Sequence, residues 1–283
     1  MSVPIKLIAM DIDGTLLDSH AQVPEKNARA VAEAASGGIE IVLVTGRRFD
    51  FARPIADALQ CDLHLIVNNG ALAKSRNGTT HLRYLLPSQT ARQVLEATPE
   101  FRANAAVIFD RPGACQVIME KVDWEDPIRG GYFRRNREYI AEVAPLIDCL
   151  SAGEDPIQVM YAGNCAPMRA AMKSLETLSR VRDFTLALTE YEGRDFSILD
   201  VLRRDVTKGT ALAEWTRQRG FAREHVLAIG DNWNDRQMLE FAGSPVLMGN
   251  CIAELKSCGW PITLSNDEDG VAAAIRNYAL NEN

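Results

Sequence analysis

The chain opens with a short, almost wholly apolar run, "IKLIAM" (residues 5–10), that stops abruptly at Asp11. A run of that length, containing β-branched residues and no polar alternation, predicts a strand buried on both faces of a parallel sheet. The period then changes. "VPEKNARAVAEAASGG" predicts a helix with Pro24 near its start, an alanine-rich body and Gly37-Gly38 as its stop. "IEIVLVTG" reads as a second strand, "FDFARPIADALQ" as a second helix bent or begun at Pro54, and "LHLIV" as a third strand ended by "NNG". Strands and helices alternating at this spacing predict βαβ units. The fold class is therefore α/β, with a doubly wound, parallel-sheet (Rossmann-like) core.

Between Tyr84 and Tyr191 the rhythm breaks. Shorter apolar runs, "AAVIFD", "CQVIM" and "PIQVMYAG", alternate with helical stretches around "PSQTARQVLEA" and "APMRAAMKSLETLSR". This predicts an inserted α+β domain over residues 84–191, with the core built from residues 1–83 and 192–283. After the insertion the regular pattern resumes: "FSILDV" as strand, "TKGTALAEWTRQRG" as helix, "HVLAIG" as strand, "NDRQMLEFAG" as helix and "SPVLMG" as strand.

Composition narrows the function classes. The chain is 283 residues long, 47% hydrophobic and 24% charged, as expected of a globular protein with a sizeable core. A formal charge of −7 argues against general nucleic-acid binding. Six cysteines without a CxxC pair suit neither a zinc knuckle nor a disulfide scaffold, and the four histidines form no ligand pattern. No stretch reaches the length of a membrane helix. The first apolar run stops too early for a signal peptide, so a cytoplasmic location is expected.

The candidate chemistry sits at the ends of the predicted strands, where ligands bind in open α/β sheets. "DIDGT" supplies Asp11 and Asp13, "VTGR" supplies Thr45 and Gly46, "VTKG" places Lys208 at a helix start, and "GDNWND" supplies Asp231, Asn234 and Asp235. Two carboxylates about 4 Å apart repel by roughly 4 kcal/mol at an effective dielectric near 20, so something must offset that charge. Mg²⁺ bound by Asp11 and Asp231 would do so, and would let an anionic nucleophile approach a phosphate. Asp11 then suits nucleophilic attack, and Asp13, two residues on, suits general acid–base work. Thr45, the Gly46 amide, Lys208 and Asn234 suit binding of phosphate oxygens. An EF-hand calcium loop beginning at Asp11 fails, because Leu16 stands where Gly is needed and Gln22 where Glu is needed.

Together "DIDGTLLD", "VTGR", "DVTKGTAL" and "GDNWND" resemble the haloacid dehalogenase superfamily of phosphatases, and its Cof-type branch in particular. "NNGA" (Asn68–Ala71) and "SNDEDGV" (Ser265–Val271) resemble that branch as well. One helix and one strand already fill the interval between Asp13 and Thr45, so the branch's large cap must lie before Lys208. The resemblance implies Asp11 as nucleophile and Asp13 as general acid–base. It implies Mg²⁺ held by Asp11, the backbone carbonyl of Asp13 and Asp231. Thr45, Gly46, Lys208 and Asn234 would hold the phosphate, and Asp235 would orient Lys208. Cys251 stands where the branch usually carries Ala.

The expected partner is a small phosphorylated substrate, neither nucleic acid nor membrane, with the oligomeric state left open. The favoured function is a Mg²⁺-dependent phosphatase. Phosphoryl transfer of the mutase kind and a non-enzymatic phosphometabolite-sensing module are the alternatives. Outside these motifs, Trp233 reads as a packing residue, and "RRNR" (Arg134, Arg135, Arg137) as a solvated helix face.

Overall fold

The structure is a computed structural model that describes residues 3–127, 129–151, 153–179 and 183–280. The chain divides into two compact units. One comprises Met1–Arg83 with Val206–Asn283, the other Tyr84–Asp205.

In the first unit the chain runs β1 (Leu7–Met10), α1 (Glu25–Ser36), β2 (Glu40–Val44), α2 (Phe49–Ala58), β3 (His64–Val67), β4 (Leu72–Ser75) and β5 (Thr80–Arg83). The second unit contributes α3 (Ser88–Ala97), β6 (Ala105–Ile108), β7 (Val117–Met119), α4 (Gly130–Arg135), β8 (Ile140–Glu142), β9 (Gln158–Gly163), α5 (Cys165–Ser179), β10 (Phe184–Tyr191) and β11 (Phe196–Arg203). The first unit then resumes with α6 (Lys208–Gln218), β12 (Val226–Gly230), α7 (Arg236–Phe241), β13 (Ser244–Leu247), α8 (Ala253–Lys256) and α9 (Gly270–Ile275).

The first unit holds a seven-stranded sheet in the order β13-β12-β1-β2-β3-β4-β5. The strands from β13 to β3 are mutually parallel, and β4 and β5 continue the sheet antiparallel. Leu7, Ile8, Ala9 and Met10 are all fully buried, as are all residues of β12. Each large apolar side chain so buried contributes ~1.5–3 kcal/mol, which is why these strands carry unbroken apolar runs. The first polar groups can appear only where the strands end. α1 starts after Pro24 and buries Ala30, Val31 and Ala34, while α2 continues through Pro54. Among the described residues no helix is long and apolar enough to cross a membrane.

The second unit holds a six-stranded sheet in the order β10-β11-β9-β6-β7-β8. Val107, Phe109, Val159, Tyr161, Leu199 and Val201 form the heart of its apolar core, with α3 and α5 packed against it. Tyr161 Oη lies 2.6 Å from Thr98 Oγ1, so the one polar atom of that buried ring is satisfied.

The strand expected from "FSILDV" forms, but in the second sheet. β11 pairs antiparallel with β10 from Phe196 opposite Tyr191 to Arg203 opposite Phe184, and its other edge pairs with β9. The boundary expected at residue 192 therefore falls at Val206, and residues 192–205 belong with the inserted unit. A short apolar run does not say which sheet it joins. Here the pairing along β10 and the buried bond from Gln158 Nε2 to Asp200 Oδ1 at 2.6 Å place it. In the "RRNR" cluster, Arg134 donates to the Trp124 carbonyl at 2.7 Å and Arg137 stacks 4.8 Å from the Trp124 ring centre, so these arginines pack on their own unit.

Candidate active site

The carboxyl ends of β1, β2 and β12 and the start of α6 converge in the first unit. Asp11 immediately follows β1 and is buried, its amide donating to the Ile229 carbonyl of β12 at 3.1 Å. Lys208 opens α6 behind an N-cap at Thr207, whose hydroxyl accepts from the Thr210 amide. A lysine at a helix N-terminus opposes the helix dipole. It is tolerated here because Lys208 Nζ donates to Asp11 Oδ1 and Asp235 Oδ1, each at 2.6 Å. Burial alone would lower the Lys208 pKa, but the two carboxylates outweigh it and hold the ammonium above its ordinary range.

Asp235 is fully committed. Its second oxygen accepts from the amides of Asp231 and Asn232 at 2.9 and 3.1 Å. Asp231 is buried and accepts from Thr15 Oγ1 at 3.0 Å through Oδ1. Asp13 points elsewhere, into a two-bond fork from Arg47. Thr45 is buried at the end of β2, where its Oγ1 accepts from the Arg47 amide at 3.1 Å. Asn234 Nδ2 donates to Asn69 Oδ1 at 3.0 Å, and the Asn69 side chain lies against Gly46.

Two glycines allow these segments to meet. Gly14 has φ +79°, and a Cβ there would overlap the Asp231 carboxylate. Gly70 has φ +105°, and a Cβ there would overlap the Thr207 carbonyl just before Lys208. Both positions need the left-handed region and the space.

Asp11, Asp231 and Asp235 each offer an oxygen within 4.8 Å of the others, the acidic grouping that could hold a metal among the described residues. One ammonium faces three carboxylates. Burial pushes Asp11 up to about 7, and pushes Asp231 well above the usual carboxylate range, where Asp235 and Asp11 raise it further. Ionising all three carboxylates would leave more negative charge than the one ammonium offsets, which is why burial and mutual repulsion raise Asp11 and Asp231, and the donors are hard oxygens. That chemistry fits a divalent cation such as Mg²⁺.

Asp11, Asp231, Asp235 and Lys208 therefore meet in one cluster, while Thr45, Gly46 and Asn234 are connected through Asn69. Asp13, by contrast, is held by the fork from Arg47 rather than by Lys208. Thr15, Asn69, Asn250 and Asn266 carry bonds that sequence reasoning missed. For Thr15, Asn69 and Asn266 the signal was position, since each lies inside or beside a motif.

A model of the haloacid dehalogenase-like hydrolase family matches residues 8–275. The chain belongs to that family. It is 28% identical over 278 residues to the 5-amino-6-(5-phospho-D-ribitylamino)uracil phosphatase of Bacillus subtilis, covering 98% of this chain and 97% of that one. It is 27% identical over 281 residues to the pyridoxal phosphate phosphatase of Escherichia coli, covering 97% and 99%. A solved haloacid dehalogenase-like hydrolase from B. subtilis superposes with a TM-score of 0.81 at 26% identity, covering 96% of this chain and 99% of that one. As a member of this haloacid dehalogenase-like family the chain is a hydrolase, with the α/β core that its sequence pattern predicts.

Proposed function

We propose that the protein is a Mg²⁺-dependent phosphatase that hydrolyses small phosphorylated metabolites through an aspartyl-phosphate on Asp11. The observation that carries this reading is the buried Asp11–Lys208–Asp235 chain beside Asp231, three carboxyl groups gathered on one ammonium. Phosphatase relatives spanning nearly the whole chain support it.

Asp11, Asp231 and the backbone carbonyl of Asp13 would hold Mg²⁺. When bound, the ion would offset the carboxylates' mutual repulsion and the charge of the substrate phosphate. Lys208 fixes one oxygen of Asp11 and so orients the nucleophile. In the first step an Asp11 oxygen bonds to phosphorus, the bond from phosphorus to the leaving oxygen breaks, and Asp13 gives that oxygen a proton. In the second, Asp13 takes a proton from water, the water oxygen bonds to phosphorus, and the bond to Asp11 breaks to release phosphate. Thr45, the Gly46 amide, Asn234 and Lys208 bind the phosphate oxygens on which charge develops. Asp235, held by two backbone amides, keeps Lys208 in place.

Purified protein with Mg²⁺ tests this against para-nitrophenyl phosphate and a panel of sugar phosphates, pyridoxal phosphate and 5-amino-6-(5-phospho-D-ribitylamino)uracil. Phosphate release that Asp11→Asn abolishes is expected. No release from any member, or isomer formation dependent on a bisphosphate, would overturn the reading.

A further inference from the structure

The segment "SNDEDGV" (Ser265–Val271) contributes no group to the chemistry above, yet it is bonded to the loop that does. Asn266 Nδ2 donates to the Leu17 carbonyl at 2.9 Å in a buried bond. The Asn266 amide donates to Asn250 Oδ1 at 2.9 Å, and Asn250 Nδ2 donates to the Gly14 carbonyl at 2.8 Å. Asp267 Oδ1 accepts from the Ser19 amide at 2.8 Å. Three successive contacts thus run along residues 14–19, the stretch that follows Asp11 and Asp13.

Asn250 is tied to the other acidic segment as well. It lies in the turn after β13, where the Met248 amide donates to the Gly230 carbonyl at 3.0 Å and the Ile252 amide to the Asp231 carbonyl at 3.1 Å. One turn therefore bonds to the Gly14 peptide on one side and to the Asp231 peptide on the other. Gly14 in turn lies against the Asp231 carboxylate, where no side chain fits.

We infer that Asn250 and Asn266 are positioning residues that hold the Asp11–Asp18 loop in register with Asp231. Both asparagines are used as two-ended connectors. Asn250 accepts from one segment and donates to another, whereas Asn266 donates twice, from its backbone amide to Asn250 and from its side chain to the Leu17 carbonyl. A carboxylate in place of either side chain would keep the acceptor and lose the donor. Misplacement of a reacting group by about 1 Å slows turnover by as much as roughly 100-fold, so the connectors are read in kcat rather than in substrate affinity. Lys26 supplies the control. Its exposed pair with Asp269 at 2.8 Å joins the same C-terminal segment to α1 without touching a loop carbonyl.

The catalytic part of this inference rests on the phosphatase reading, and the experiment separates the two. Asn250→Ala, Asn266→Ala, Asn266→Asp and Lys26→Ala are compared with wild type by para-nitrophenyl phosphate kinetics and by hydrogen exchange of the amides of residues 12–19. Asn250 is exposed, so its variant is expected to fold with an unchanged melting temperature even if the Asn266 variants do not. The expected result is faster exchange over residues 12–19 in Asn250→Ala, with kcat lowered roughly 10- to 100-fold and KM changed less than about threefold. Lys26→Ala should match wild type in both measurements. Unchanged exchange in Asn250→Ala, or faster exchange with unaltered kcat, would overturn the inference. A wild type that releases no phosphate would defeat the phosphatase reading, and the exchange comparison would then decide the bracing alone.

Discussion

Arg47 grips Asp13 with two parallel bonds, Nε to Oδ2 at 2.7 Å and Nη2 to Oδ1 at 2.6 Å, across the carboxyl ends of β1 and β2. The pair is about 30% exposed on each side, so its Coulomb energy is screened and its main consequence is geometric. The planar fork fixes both carboxylate oxygens of Asp13, which a point charge cannot do, and one of its two bonds yields when Asp13 carries the proton that it donates. Arg47→Lys should therefore leave the melting temperature nearly unchanged while lowering kcat by roughly 10-fold or more, within the range of a general acid–base contribution. Steady-state kinetics alongside a thermal melt check it, and an unaltered kcat would mean that Asp13 does not depend on the fork.

Lys208 is more a stability element than its place in the proposed catalytic cluster suggests. It is 1% exposed and bonded to two carboxylates that are themselves buried. Removing one partner of a buried ionic pair costs about 3–5 kcal/mol, because the remaining charge is left uncompensated. Lys208→Met should lower denaturant-unfolding stability by about that amount as well as abolish activity. A fully active or equally stable variant would contradict the arrangement.

Metal removal should act in the same direction. A ligand that binds only the folded state stabilises it by about 2.7 kcal/mol when present at 100 times its dissociation constant. Adding Mg²⁺ to chelator-treated wild type should raise the melting temperature, and Asp231→Asn should remove most of that rise. An equal rise in the variant would place the ion elsewhere.

Gly14 tests the close approach of the two acidic segments. Gly14→Ala asks for φ +79° from a residue with a Cβ and drives that Cβ into the Asp231 carboxylate. The expected outcome is a loss of stability of about 1–3 kcal/mol together with weaker Mg²⁺ binding by calorimetry. Unchanged Mg²⁺ affinity would show that the Gly14–Asp231 contact does not shape the metal site.

How much of this was legible in the sequence depends on the range of the interaction. Asp11, Thr45, Lys208 and Asp231 announce themselves because a fully buried strand can carry polar groups only beyond its end, and a lysine opening a helix calls for a reason. "FSILDV" carried no such cue. Its apolar run reads the same in a parallel core strand and in β11, and only the pairing with β10 and β9 assigns it. β10 went unread because seven of its eight residues are only partly buried and its alternation is weak. The partners of the site residues were out of reach for a different reason. Arg47 with Asp13, Thr15 with Asp231, Asn234 with Asn69 and Asn266 with Leu17 are pairs set by the sheet order, between 34 and 249 positions apart in all four cases.

The claim at the centre is that Asp11 becomes phosphorylated. Wild type mixed with Mg²⁺ and an aryl phosphate carrying radiolabelled phosphorus, then quenched in acid during turnover, should retain label on the peptide containing Asp11, and Asp11→Asn should retain none. Turnover with no trapped label in wild type, or label held equally by Asp11→Asn, would contradict it.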